Sequence, residues 1–203
     1  MASLSEAILD KALQALFEGD DVRAGEVQQD DLEIDRLDVE IDEAVLRLLA
    51  TQAPVADDLR EVIASKMIAV DLERVGDLAR NVAKSAIRLA GRSEPQAPPL
   101  LRTLADESQR ILRRALDALA RHDPEQAAEV LGDDDQVDED QDRVIRDAIH
   151  EIRSRPEFAS QEVDYILIAK NLERVADHAT NIAEAVILAK EARIVKHADK
   201  LVG

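Results

Sequence analysis

Residues 68–83 read IAVDLERVGDLARNVA, and residues 168–183 read IAKNLERVADHATNIA. Ten of these 16 positions are identical at an offset of 100 residues. In both segments apolar residues recur at alternating spacings of four and three, the pattern of a helix that packs along one seam against other helices. The seam extends to Leu89 in the first segment and to Ala189 in the second. The pattern therefore predicts two long, equivalent helices.

A second region of internal similarity lies upstream of each of these segments. Residues 8–31 align with residues 111–134 at an offset of 103, and twelve of the 24 positions are identical. The change of offset falls near Pro54 and Pro156, where a turn tolerates a difference in length. The chain is therefore a duplication of one unit.

Each unit reads as three helices, and the predicted fold class is all-α, with two tandem, pseudo-symmetric three-helix bundles. The proline-rich segment GRSEPQAPP separates the two units. The predicted bundles cover residues 1–91 and 100–203, with residues 92–99 as a linker. The predicted helices are about 3–18, 21–51 and 55–90 in the first bundle, and 100–121, 124–154 and 160 to the C-terminus in the second.

Composition excludes several classes of protein. The 203 residues carry a formal net charge of −18, which repels nucleic acid and anionic lipid. The chain has no Cys, so disulfides and thiolate metal sites are excluded. The sequence shows no signal peptide and no apolar stretch long enough to span a membrane, so we expect a cytoplasmic protein. No Glu-x-x-His pair, phosphate-binding glycine loop or hydrolase motif is present, so we do not expect an enzyme.

Acidic residues recur at i,i+4 in both units. On a helix such like-charged pairs cost roughly 0.2–0.5 kcal/mol each, and a bound cation would remove the repulsion. Carboxylates from two neighbouring helices suit cations that prefer oxygen, such as Mg, Mn, Ca or Fe. On the third helices the motif lies nearly opposite the apolar seam, so we expect it to face solvent or a groove. The candidate ligands are Asp31, Asp35, Glu73, Asp77 and Asn81 in the first unit, and Asp134, Asp138, Glu173, Asp177 and Asn181 in the second.

A structural interpretation of these acids stays open. In a chain that is 34% charged, acidic pairs also occur on solvated faces, and Arg74 and Arg174 could simply bridge to the acids beside them. His178 follows Asp177 and could add a nitrogen ligand in one unit, or be a surface histidine. His122 stands where the first unit has Gly19, at a helix end, and has a structural interpretation.

The paired Glu-x-x-x-Asp motifs in DLERVGDLARNVAKSA and NLERVADHATNIAEAV, in two three-helix units, resemble the PhoU family. This resemblance covers the chain from about Leu4 to Ala189. It implies a non-catalytic regulator that represses phosphate uptake and phosphate-starvation signalling. The implied partners are the ATPase of the phosphate ABC transporter, PstB, and the sensor kinase PhoR, and the family allows a homodimer.

The resemblance also implies metal on the acidic motifs, with Fe or Zn (or Mn or Mg) as the candidates, although some members hold none. Members of the family have about twenty further residues ahead of the position of Leu4. The first helix is short by this comparison, so we expect exposed apolar surface on the first bundle.

Three functional hypotheses follow from these observations. The first is an adaptor that represses phosphate signalling and carries metal on its acidic motifs. The second is a metal-independent helical scaffold whose acidic faces bind basic protein surfaces. The third, a carboxylate-bridged oxidase, is disfavoured because the Glu-x-x-His pair is missing.

Overall fold

The computed structural model describes residues 1–92, 96–193 and 195, except for the side chain of Asp134. These residues form helices and no strand, which confirms the predicted all-α class. None of these helices is long and apolar enough to cross a membrane. The helices are α1 (Ala2–Glu18), α2 (Asp21–Gln52), α3 (Asp57–Leu89), α4 (Pro99–Arg121), α5 (Pro124–Val130), α6 (Asp134–Ser154) and α7 (Ala159–Glu191), with a 3₁₀ turn (Pro156–Phe158) before α7.

Helices α1, α2 and α3 form the first bundle. Gly19 ends α1 in the left-handed conformation, with φ of 70°, where glycine carries no steric penalty. The carboxylate of Asp20 then accepts a hydrogen bond from the backbone N–H of Arg23 at 2.9 Å, which caps α2. The chain therefore reverses direction within two residues, and α1 and α2 pack side by side.

Helices α4 to α7 form the second bundle and repeat this arrangement with one difference. His122 ends α4 with φ of 52°, in the place of Gly19, which confirms its structural role. The predicted continuous helix 124–154 is wrong, because the chain breaks between Val130 and Asp134. Gly132, a poor helix former, lies in the break, and the continuous helix α2 has Gln29 at the equivalent position.

Ion pairs between the first two helices are repeated in the two bundles at the offset of 103 residues. Lys11 on α1 binds Asp30 at 2.6 Å and Glu26 at 3.4 Å on α2. Arg114 on α4 binds Asp133 and, at 3.1 Å, Glu129. Asp30 and Asp133 therefore serve the packing of each bundle.

The two bundles lie side by side, with α3 packed along α7. The helices are antiparallel, since Glu61 bonds Lys190 near one end and Arg88 bonds Asp164 near the other. Small alanines such as Ala79 and Ala179 are fully buried on these two helices. Helix α7 ends at Glu191, and of its predicted extension to the C-terminus, residues 194 and 196–203 lie outside the described residues. Of the predicted linker, residues 93–95 lie outside the described residues, and α4 begins at Pro99.

The predicted exposed apolar surface of the first bundle is confirmed. Helix α1 has 17 residues and α2 has 32, so the far ends of α2 and α3 extend past the start of α1. Large apolar side chains there remain in solvent, with Leu46 68% and Val55 72% exposed.

Candidate functional site

The acidic motif of the first bundle lies in the groove between α2 and α3. Asp35, Glu73 and Asp77 are half-buried, while Asp31 is only 1% exposed. Glu73 and Asp77 thus face this groove, as expected for the third helix, while Asp31 of α2 is turned against α3. Burial, and after it the charges of the neighbouring carboxylates, raises the pKa values of Asp31 and Glu73.

An arginine that the sequence analysis missed lies inside this group. The guanidinium of Arg80 donates through Nη1 to Oδ2 of Asp31 and through Nη2 to Oδ1 of Asp77. It thereby joins α2 to α3 with a pair of charge-assisted hydrogen bonds. Two features of the sequence could have identified Arg80. It lies three residues after Asp77, and the equivalent position 180 of the other unit holds a threonine.

Gly76 allows Asp31 to reach this depth. A Cβ atom at position 76 would lie 2.9 Å from Oδ1 of Asp31 and 2.8 Å from Cδ1 of Ile34, closer than such atoms approach. Oδ1 of Asp31 is buried without a hydrogen-bond partner. Burial therefore raises the pKa of Asp31, and the charge of Arg80 is the main influence that opposes the rise.

Arg74 behaves as the structural interpretation predicted. Its guanidinium lies 3.4 Å from Glu73 and 3.2 Å from Asp77, and its side chain is half exposed. Exposed ion pairs of this kind contribute about 0–1 kcal/mol, so Arg74 screens the acids without fixing them. Burial and the neighbouring Asp77 still raise the pKa of Glu73. Asn81 lies half-buried, one turn beyond Asp77.

In the second bundle the corresponding acids gather without an arginine at position 180. Glu173 is half-buried on α7, Asp177 is exposed, and Asp138 is exposed on α6. Burial, together with the charges of Asp177 and Asp138, raises the pKa of Glu173 to about 7, and a hydrogen bond with Asp177 favours its protonated form. Asp134 is the first residue of α6, and its side chain lies outside the described part of the chain.

Asn181 and His178 point away from these acids and toward the first bundle. Nδ1 of His178 lies 2.8 Å from Oδ1 of Asp71 on α3, and the amide of Asn181 donates to the same oxygen at 3.3 Å. Eight residues on a helix add about 80° of rotation, so Asn181 no longer shares the face of Glu173. Asn181 and His178 thus both bind Asp71 of the first bundle, and a role of either residue as a metal ligand stays a prediction.

The structure also places a carboxyl pair that the sequence analysis did not identify. Glu107 on α4 and the buried Asp140 on α6 occupy positions where the first unit has Leu4 and Leu37. Burial and the charge of Asp140 raise the pKa of Glu107. Arg143 binds Asp140 at 3.0 Å.

The two acidic motifs differ in how well they suit a metal ion. In the first bundle the guanidinium of Arg80 already lies between the carboxylates of Asp31 and Asp77, so the residues present do not fit a metal. In the second, carboxylates on two helices supply hard oxygen donors, and Thr180 stands in the place of Arg80. Among the described residues, however, no group of three or more His, Asp and Glu side chains has the spacing of a metal site.

The duplicated bundles, each with its acid motif on the third helix, match one family in both halves. The PhoU domain matches residues 1–86 and again residues 101–186. The chain belongs to the PhoU family.

Relatives of known name agree with this membership. The chain is 36% identical over 189 residues to the "phosphate-specific transport system accessory protein PhoU homolog" of Zymomonas mobilis, which covers 93% of this chain and 80% of that protein. It is 35% identical over 198 residues to the PhoU homolog of Pseudomonas aeruginosa, covering 97% of this chain and 82% of that protein.

Two solved structures share the fold. The crystal structure of PhoU from Pseudomonas aeruginosa superimposes with a TM-score of 0.91 at 34% identity, over 95% of this chain and 93% of that one. The phosphate transport system regulatory protein PhoU from Streptococcus pneumoniae gives a TM-score of 0.88 at 28% identity, over 96% and 92% of the two chains. The arrangement of α1 to α7 is therefore shared with these two PhoU proteins.

Proposed function

We propose that this PhoU-family protein represses phosphate uptake and phosphate-starvation signalling as a cytoplasmic adaptor between the transporter ATPase PstB and the sensor kinase PhoR. Membership of the family supports a role in the regulation of phosphate transport. The observation that carries the proposal is the similarity to phosphate-transport accessory proteins along almost the whole chain.

The proposed role is regulatory and not catalytic. The sequence contains no hydrolase, metal-protease or phosphate-binding motif, and the relatives are named as accessory proteins. The net charge of −18 favours basic protein surfaces over nucleic acid as partners. An acidic adaptor of this kind would act by binding and releasing proteins.

Deletion of the gene in its own host tests this function. With phosphate in excess, alkaline phosphatase and transporter expression should rise in the deletion strain and return to the wild-type level when the intact gene is restored. Unchanged expression in the deletion strain would contradict the proposed repression. Purified PstB and PhoR cytoplasmic regions, each immobilised separately, then test the two partners, because loss of one interaction identifies the link that fails.

We also propose that a divalent cation binds the acids of the second bundle, through Asp134, Asp138, Glu173 and Asp177. The placement of carboxylates on two helices, α6 and α7, supports this site, as does Thr180, which stands where the first bundle has Arg80. Elemental analysis of the purified wild-type protein, compared with Glu173→Gln and Asp177→Asn together, measures the site. Equal metal content in the two proteins would contradict it.

A metal-independent scaffold is the second candidate function. The observation that favours it is Arg80, which offsets the first acidic group with a cation that belongs to the chain. This candidate predicts that thorough chelation leaves binding to PstB and to PhoR unchanged. Loss of either interaction in chelator would contradict it.

A further inference from the structure

The two acidic motifs differ at one informative position. Glu73, Arg74 and Asp77 recur as Glu173, Arg174 and Asp177, but Arg80 is replaced by Thr180. Threonine is short and uncharged, so Thr180 cannot form an ion pair with a carboxylate on a neighbouring helix. The duplication therefore provides an internal comparison of the same motif with and without an arginine at this position.

The geometry of Arg80 is that of a built-in bridge. Its two terminal nitrogens each donate to a different carboxylate, one on α2 and one on its own helix. The planar guanidinium suits two simultaneous carboxylate contacts, and its charge is permanent. Of its partners, Asp31 is 1% exposed, so solvent cannot stabilise this carboxylate if Arg80 is removed.

The backbone has adapted to the same arrangement. The missing side chain of Gly76 leaves the room into which Asp31 is inserted, as the 2.9 Å distance from a Cβ there to Oδ1 indicates. The second unit has Ala176 at this position, which carries the Cβ. Gly76 and Arg80 thus act on the same carboxylate. Gly76 leaves space for the side chain of Asp31, and Arg80 balances its negative charge.

A metal ion would compete for the same oxygens. Divalent cations bind carboxylates at about 2.0–2.6 Å, so an ion shared by Asp31 and Asp77 would occupy the space between them that the guanidinium fills. The ion would also lie against a permanent positive charge. We propose that Arg80 takes the place of a metal ion in the first bundle, so that this half of the protein is held together without metal. The contrast with the second half rests on the cation proposed there.

Variants at position 80 test this substitution of an arginine for a metal. The background is Glu173→Gln with Asp177→Asn, which removes the second group of acids from the measurement. In this background Arg80→Thr should lower the melting temperature in EDTA by roughly 6–12 °C, because it leaves Asp31 buried and unpaired. Saturating Mn²⁺ should restore most of that loss, and calorimetry should show one newly bound Mn²⁺.

The matched controls are Arg80→Lys and Arg36→Thr in the same background. Lysine keeps a charge beside Asp31, and Arg36 pairs with acids of its own helix, Glu33 and Glu40, so neither variant should gain Mn²⁺ binding. If Arg80→Thr unfolds in EDTA, its refolding by Mn²⁺, followed by circular dichroism, gives the same answer. An Arg80→Thr protein that neither binds Mn²⁺ nor is stabilised by it would overturn the proposal.

The reverse exchange, Thr180→Arg, tests the proposed metal site of the second bundle separately from the role of Arg80. In the wild-type background Thr180→Arg should abolish Mn²⁺ binding if the second acids hold the ion. A wild-type protein that binds no Mn²⁺, combined with an Arg80→Thr variant that does, would refute the second-bundle site and leave the role of Arg80 supported. Mn²⁺ binding that persists in the Glu173→Gln, Asp177→Asn background and disappears with Asp31→Asn would refute the role of Arg80.

Discussion

Replacing Gly76 with alanine tests the packing of Asp31 most directly. The new Cβ would lie 2.8 Å from Cδ1 of Ile34 and 2.9 Å from Oδ1 of Asp31, and both of those side chains are buried. Crowding of this kind costs about 1–3 kcal/mol. Alanine also has a helix propensity about 1 kcal/mol more favourable than that of glycine. The free energy of unfolding should therefore fall by between zero and about 2 kcal/mol.

Gly25 provides the matched control for this substitution. It lies on α2 and is exposed, and a Cβ at this position would have no neighbouring atom within 4 Å, so Gly25→Ala should show the gain in propensity alone. The two variants should therefore differ by about 1–3 kcal/mol, or roughly 3–9 °C in melting temperature for a chain of this size. Thermal and urea unfolding followed by circular dichroism measures both. Equal stability of the two variants would refute the close approach of Asp31 to α3.

Three further predictions concern the second bundle and the seam between the bundles. Because the pKa of Glu173 is about 7 when folded and near 4.5 in an unfolded chain, its protonation stabilises the fold fully below pH 4.5, and this contribution is lost as the pH rises through 7. With EDTA present to remove any bound cation, Glu173→Gln should therefore be more stable than wild type by about 2 kcal/mol at pH 8 and nearly equal at pH 4, and identical differences at both pH values would contradict the shift. His178→Leu should cost about 1 kcal/mol by removing a bond to Asp71, and urea unfolding should detect it; no loss would mean that the contact is not formed in solution. Asp164→Ala should cost about 1.5–3 kcal/mol in urea unfolding because the buried carboxylate binds the guanidinium of Arg88, and a change within error would contradict the pair.

The sequence was sufficient for the fold because its pattern is redundant. The apolar seams of α3 and α7, the caps at Gly19 and His122, and the repeat itself all indicate the same helices. The break before α6 was missed because helix propensity and the acidic run at its start permit either a continuous or an interrupted helix. The ion pair of Asp133 with Arg114 does not account for the break, because the equivalent pair of Asp30 with Lys11 occurs on the continuous helix α2. The difference lies at Gly132, a poor helix former, where the first unit has Gln29.

The candidate site was only partly predictable for a similar reason. Spacing along one helix correctly placed Glu73 and Asp77 on the same face. The internal repeat identified Asp31, on the preceding helix, as a further member of the group. Spacing could not show which neighbouring helix Asn181 faces, because that depends on how α3 and α7 pack. The role of Arg80 also needed the structure, since an arginine in a highly charged helix is ordinarily a solvated residue.

The antiparallel seam between α3 and α7 has a consequence for the history of the chain. Two identical units would make each contact across a two-fold axis twice, yet the mirror positions of the Asp71–His178 pair hold Asn171 and Leu78, which cannot form it. Divergence after the duplication has thus turned a self-complementary surface into two complementary ones. When the two halves are expressed separately, the first half should therefore bind the second half more strongly than either half binds another copy of itself.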